Sequence, residues 1–448
     1  MNDDVAQRPY KRLSPLTPLV RSFILVVAAA GATWQDLLRG QIGPLGWALL
    51  VMLVVGAVFG TASWLRTKYW IENDELRVDT GVISRQSRRI RVDRLQGVDI
   101  VQPFVARLFG LAELKMDVAG GGRAEGSLAF LPLAEAQELR EVLLARRDAV
   151  RAGGRPGDSP AVVPVVPVAP RTQRLQERRI ASLDLGMLLV AILLSGETIG
   201  VVVSGALFLG LFMVIGQLGG AASVLPIVGG FVLAQFRKLS AFYGFTLTES
   251  AAGLQVRRGL FERDAQTITL PRVQGLVVTE PLLWRRLGWA RLDVSVAGAK
   301  SSDGDGKPSA STLMPVARRD QVQWLVSYLL AGSGAGADLQ VDRIALTAPP
   351  ARARWIAPVR RRYLAVGLGE VVVSRSGLVT RHTHVVPHAR VQSLRIRQGP
   401  WQRMLGLADL HVDSPPGPVH AHARHRDTVE ARALLEEETS LARAARHR

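Results

Sequence analysis

One motif occurs three times in this chain at a fixed internal spacing. Gly81, Arg94, Gln96 and Gly110 are matched by Gly259, Arg272, Gln274 and Gly288, and again by Gly377, Arg390, Gln392 and Gly406. In each copy the first glycine lies 13 residues before the arginine, and the last glycine 16 residues after it. The surrounding text repeats too, as RLQGVDIVQPFVARLFGLAEL, RVQGLVVTEPLLWRRLGWARL and RVQSLRIRQGPWQRMLGLADL. Self-similarity at this scale marks copies of one structural unit, so the chain reads as an array of three modules.

Two apolar blocks precede the first and second copies. Ile42 to Leu65 holds 24 residues without a charge, enough at about 1.5 Å per residue to cross a roughly 30 Å hydrocarbon core. Ser22 to Leu38 is weaker but can pair with it across a short polar link at Arg39 and Gln41. Thr198 to Phe236 is uncharged over 39 residues and is interrupted by Gly216-Gln217-Leu218-Gly219-Gly220. It fits two further spans. Leu183 to Gly196 is short and flanked by Asp184 and Glu197, which suits an interfacial or re-entrant helix.

Basic residues set the expected orientation. Arg8, Lys11, Arg12 and Arg21 precede the first hairpin, and Arg66 and Lys68 follow it. Arg178 and Arg179 precede the second block, and Arg237 and Lys238 follow it. The positive-inside rule then puts both termini and all three modules on the cytoplasmic side of a multi-pass protein of the inner membrane. The formal charge of +18 rests almost wholly on arginine, with only six lysines, and suits anionic headgroups better than nucleic acid. The absence of cysteine excludes disulfides, thiolate metal sites and thiol nucleophiles.

Within the first copy, Tyr69–Glu72 and Glu75–Thr80 flank Asn73-Asp74 as a strand, tight turn and strand. Arg89–Arg94, Val98–Val101 and Glu113–Val118 read as further strands, Pro103–Gly110 as a one-turn helix and Ala134–Arg147 as an amphipathic helix. Asp320–Leu330 and Asp427–Leu441 end the other copies in the same way. The expected class is a multi-domain α+β membrane protein. It has three β-barrel or sandwich modules, each closed by a C-terminal helix, and about four transmembrane helices in two hairpins. The expected divisions are a tail at 1–18, a hairpin at 19–66, module one at 67–148 and a proline-rich linker at 149–176. An interfacial helix and second hairpin follow at 177–239, then module two at 240–331, a linker at 332–358 and module three at 359–443.

Short strands closed by one helix follow the plan of a pleckstrin-homology (PH) barrel. With the RLQG…LFGLAEL, RVQG…RLGWARL and RVQS…MLGLADL tracts, the chain resembles bacterial PH-like membrane proteins of the YdbS/YdbT type. That resemblance implies PH-like modules and a membrane location, and no established catalytic activity. The third copy departs from it at Ser393, where the others have glycine, and lacks a hairpin of its own.

Arginine suits phosphate recognition through its planar fork. The repeated Arg94, Arg272 and Arg390, with Gln96, Gln274 and Gln392, instead read as structural anchors, because their distance to two glycines never varies. The lipid-contact candidates are Arg85, Arg88, Arg89 and Arg91 after the first hairpin, and Arg257, Arg258 and Arg263 after the second. All eight histidines fall within the last 70 residues, at spacings such as His382/His384/His388 and His420/His422/His425. They read as a proton-sensitive surface rather than a metal site. Gly304-Asp305-Gly306-Lys307 lacks the remaining glycine and hydroxyl residue of a phosphate loop. No cofactor is expected. The reading is a non-enzymatic membrane scaffold whose partners are membrane lipids and a protein, another PH-like membrane protein being one candidate. The alternative is a transporter or channel component with regulatory modules, which needs polar groups among the spans beyond Thr61, Thr198 and Ser204.

Overall fold

The computed structural model describes residues 65–72, 75–80, 86–118, 127–151, 178–215, 224–250, 253–297, 312–332, 341–415 and 417–447, with isolated positions nearer the N-terminus. It divides into two compact units, residues 1–173 with 261–265, and residues 174–260 with 266–448. Most of the expected first hairpin, most of the proline-rich linker, Gly81 and Arg85 lie outside the described residues.

The first unit carries module one. Strands β1 (Lys11–Arg12), β2 (Lys68–Glu72), β3 (Glu75–Thr80) and β4 (Gln86–Arg91) form one antiparallel sheet in that order. Glu72 pairs with Glu75, which leaves two residues for the expected reversal. A 3₁₀ turn at Val92–Arg94 leads into β5 (Leu95–Gln102), helix α1 (Phe104–Leu108), β6 (Leu111–Val118), β7 (Ser127–Pro132) and helix α2 (Leu133–Arg151). The expected strand over 89–94 therefore ends three residues early. Its apolar alternation continues past the bend because the turn still buries Val92 and Leu95, three residues apart. The core joins Tyr69, Leu76, Ile90, Leu114 and Leu131 to Ala136, Leu139 and Leu143. The last three recur at helical spacing on one face of α2, and burying each leucine contributes roughly 1.5–3 kcal/mol.

The second unit opens with β8 (Arg178–Ser182), α3 (Leu185–Leu193), α4 (Gly196–Ile215) and α5 (Val224–Phe242). Asp184 caps α3 by accepting from the Gly186 N–H. With nine residues α3 spans only about 14 Å, too little to cross a bilayer. It docks on module two instead, where the Trp284 indole donates to the Ala191 carbonyl at 3.1 Å. Among the described residues α4 is the one helix long and apolar enough to span a membrane. Glu197, at its start, pairs with Lys238 near the end of α5, so the two helices run as an antiparallel hairpin. Glu197 is thereby the partner of a surface cation.

Module two comprises β9 (Thr246–Ser250), β10 (Gly253–Arg258), β11 (Arg263–Ile268), a 3₁₀ turn at Leu270–Arg272, β12 (Val273–Pro281), α6 (Leu282–Leu287), β13 (Trp289–Val296), β14 (Thr312–Arg318) and α7 (Arg319–Gly332). Module three repeats the plan. It runs through β15 (Ala365–Leu368), β16 (Val371–Ser376), β17 (Thr380–Pro387), a turn at His388–Arg390, β18 (Ser393–Arg397), α8 (Pro400–Met404), β19 (Leu407–Asp413), β20 (Ala421–Asp427) and α9 (Thr428–Arg446). The two modules share a six-stranded sheet, β14-β13-β12-β17-β16-β15. One core crosses that join, from Leu276, Leu292 and Leu325 to Val371, Val373 and Val385.

The segment expected as a linker to residue 358 is partly built into module three. Thr347 bridges to Val366, and fully buried Arg426 donates to the Thr347 carbonyl (3.0 Å) and hydroxyl (2.7 Å). The repeated glycines have one shared job. Gly110, Gly288 and Gly406 lie at φ 67°, 68° and 62°, which ends the short helix in a left-handed turn. Each carbonyl then accepts from the first residue of the closing helix, from Leu133 (3.0 Å), Arg319 (2.8 Å) and Thr428 (3.1 Å).

Candidate functional site: module joints, a histidine cleft and exposed short helices

The joint between modules two and three is antiparallel pairing of β12 with β17, from Leu276↔Val385 through Glu280↔Arg381 to Pro281↔Thr380. Its centre of charge is Glu280, 4% exposed, whose carboxylate lies 3.7 Å from Arg319 of its own module and 3.6 Å from Arg381 of the next. With two arginines beside it, the buried carboxylate is not left as an uncompensated charge. The anchor arginines work on the backbone nearby. Arg272 donates to the Ala297 carbonyl and its own carbonyl accepts the Ala297 N–H, while Arg390 reaches the Pro271 carbonyl at 2.7 Å. Gln274 donates to the Arg272 carbonyl (3.3 Å), and the Gln392 N–H donates to the Asp413 carbonyl (2.9 Å). Arg94 is exposed at the end of the first 3₁₀ turn.

The lipid candidates separate by position. Arg88, Arg89 and Arg91 stand exposed on β4, where only Ile90 is buried, and Arg91 is held to Asp93 at 2.8 Å. Arg257 and Arg263 are exposed on β10 and β11. Arg258 is corrected. It is 6% exposed, donates to the Thr312 carbonyl at 3.4 Å and stacks 5.7 Å over the Phe242 ring, so it packs the module instead of meeting lipid. The inward alternation of Leu254, Val256 and Arg258 along β10 is the signal that distinguishes it.

A cleft of about 440 Å³ lies against the joint, lined by His382, His384, His420, His422, Asp293 and Arg424 among others. The His420 N–H donates to His384 Nδ1 (3.2 Å), and Thr279 Oγ1 lies 3.3 Å from His382 Nδ1. Burial, with neighbouring histidines and Arg424 adding repulsion, holds His384 down at about 3. Burial likewise lowers His422 to about 4 and depresses His382 and His411. For His384 and His422 the expectation of a surface that charges near pH 6 is therefore corrected: burial keeps these two imidazoles neutral there. His388 differs. Burial opposes its charge, but hydrogen bonds to Glu438 (2.9 Å) and the Gly369 carbonyl outweigh that and raise its pKa. Among the described residues no group of His, Cys, Asp and Glu is placed to hold a metal ion.

A third feature repeats in all modules. The short helix after the fourth strand of each module exposes apolar side chains beside arginine. In α1 these are Phe104 and Leu108 (73% exposed) with Arg107, and in α6 Leu282 and Leu287 with Arg285 and Arg286. In α8 they are Trp401 (72%) and Met404 (78%) with Arg403. Exposed Trp355 lies on a neighbouring turn, tied to α8 by Arg352, which donates to the Gly406 carbonyl at 3.2 Å. A further residue set was missed in the sequence. Gln102, Glu280 and Gln398 each stand eight residues after the anchor arginine. Gln102 and Gln398 donate to the Leu111 (3.2 Å) and Leu407 (2.9 Å) carbonyls, and Glu280 takes the joint.

Comparison with known proteins agrees with this architecture. The bacterial PH domain family model matches residues 22–147, 185–333 and 322–440. The UPF0699 transmembrane protein YdbT of Bacillus subtilis (strain 168) is 24% identical over 290 residues, covering 59% of this chain and 56% of that protein. The chain thus spans little more than half the length of that relative. No solved structure matches. Three family matches over most of the chain, on three structurally repeated modules and beside a membrane-grade helix, make it a membrane-associated member of the bacterial PH domain family.

Proposed function

We propose that this chain is a non-enzymatic, multi-pass scaffold of the cytoplasmic membrane, which presents three PH-like modules on the cytoplasmic side to anionic lipid and to protein partners. The observation that carries the lipid role is the short helix of each module, with Leu108, Leu287 or Met404 exposed beside arginine. Apolar and cationic side chains on one exposed surface helix partition into the headgroup boundary of an anionic bilayer. Trp355 and Trp401 supply the interfacial aromatics in module three, which has no hairpin of its own. The transporter alternative gains little support from α4. Thr198 donates to the Ile192 carbonyl (2.7 Å) and Ser204 to the Gly200 carbonyl (2.8 Å), which satisfies both hydroxyls locally.

The native chain has no cysteine, so Met404→Cys can carry a single environment-sensitive fluorophore in the full-length protein. Reconstituted in vesicles, the label should shift to the blue when anionic lipid is included, and revert with added salt. An emission unchanged by anionic lipid contradicts the lipid role.

A further inference from the structure

One strand pairing recurs between consecutive copies of the repeat, and among the described residues neither β4 nor β18 has a partner in that role. Within the second unit, the third strand of module three (β17) lies on the fourth strand of module two (β12), with Arg381 opposite Glu280 and His382 opposite Thr279. Within the first unit, Arg263–Ala265, the start of the third strand of module two, lies on β5, the fourth strand of module one. There Arg263 stands opposite Gln102 and Asp264 opposite Val101. Residues 263 and 381 are equivalent in the repeat, as are 102 and 280, so the two pairings have the same register.

Such a joint is heterologous, because a third-strand edge meets a fourth-strand edge, and heterologous contacts repeated between copies give rings or filaments. The third strand of module one, β4, is the last strand of its sheet, and the fourth strand of module three, β18, is the last strand of its own. We infer that copies of this chain associate head to tail, with β4 of one copy adding antiparallel to β18 of the next. Carrying the repeated register forward puts Gln86 opposite Arg397, Ser87 opposite Ile396 and Arg88 opposite Arg395. Continuity with the internal joints selects a second copy as occupant. Ile396 is 36% exposed on β18, where Val278 of module two faces Thr383 across the joint. Main-chain bonds along an added strand supply the attraction, and the side-chain pattern supplies the register.

Charge makes this external joint weaker than the internal one. The internal joint sets Arg381 against Glu280, whereas β4 carries Arg88, Arg89 and Arg91 and β18 carries Arg395 and Arg397. Asp413 offsets part of the repulsion by binding Arg395 through two hydrogen bonds of 2.7 and 2.8 Å. Association by this route therefore strengthens as salt screens like charges, whereas an acidic partner strand on β4 would be released by salt.

The test uses the full-length chain in lipid nanodiscs or detergent. Copies carrying only Ser87→Cys are mixed with copies carrying only Ile396→Cys and oxidised mildly. Directly opposed strand residues bring their Cβ atoms close enough for a disulfide, while residues two positions away do not. A covalent heterodimer should form several-fold more readily than with Leu394→Cys as the second partner, and its yield should rise with salt. A yield no greater than that of the Leu394→Cys control, or one that falls with salt, overturns the inference. Untagged and tagged wild-type copies provide the second measurement. Co-purification that increases with salt supports the joint, and strictly monomeric copies at all salt concentrations contradict it. Failure here leaves the membrane-scaffold reading standing, since that reading concerns one copy and its lipid contacts.

Discussion

Buried ionisable side chains in module three give the protein opposing responses to pH. His384 has its pKa lowered to about 3 by burial, so between pH 6.5 and that value the unfolded chain binds a proton the folded chain refuses. Stability consequently falls as pH drops through this window, with His384 alone costing about 2 kcal/mol by pH 5. His422, lowered to about 4, acts in the same direction, with a smaller effect because solvent reaches it. His388 acts oppositely: its raised pKa gives stability that is complete below pH 6.5 and lost as pH rises through the folded value. Thermal melts of the full-length protein should show a decline from pH 6.5 to 5 that His384→Gln reduces. An acid limb unchanged by that substitution would place the proton uptake elsewhere. None of this was readable from histidine spacing, because burial depends on β17 and β20 meeting across sheets far apart in sequence. The buried Arg258 was misjudged for a related reason, since a run of basic residues hides the inward alternation beneath it.

Local pattern carried much further for the elements themselves. The antiparallel pairing of β2 with β3, the short helix after Pro103 and the three closing helices all follow from residue type and spacing. The early end of β4 did not, because a 3₁₀ turn that keeps Val92 and Leu95 buried looks like a continuing strand. The repeated glycines were legible as fixed points of each module, but not the reason for their carbonyl direction, which is to receive the first N–H of the closing helix. Gly288→Val should cost about 1–3 kcal/mol, since a β-branched residue is strained at φ 68° even where space is open. Limited proteolysis of the full-length variant should show earlier cleavage within module two. Wild-type resistance would mean that the left-handed turn is dispensable.

At the scale of the whole molecule, the repeat spacing revealed three modules, while the way they join depended on pairings between edges more than 90 residues apart. The recurrence of Gln102, Glu280 and Gln398 eight residues after each anchor was the available clue, and Glu280 is the copy that became an ion-pair centre. The proposed scaffold follows from this plan, with strand edges and arginines committed to joining modules and short apolar helices left at the surface. Hydrogen–deuterium exchange on the full-length protein, in nanodiscs with and without anionic lipid, tests that division most directly. The account predicts that anionic lipid slows exchange in Phe104–Leu108, Leu282–Leu287 and Pro400–Met404, while β12 and β17 stay protected in both lipids. Short helices indifferent to lipid charge, or a β12–β17 joint that exchanges as fast as the surface, would contradict it.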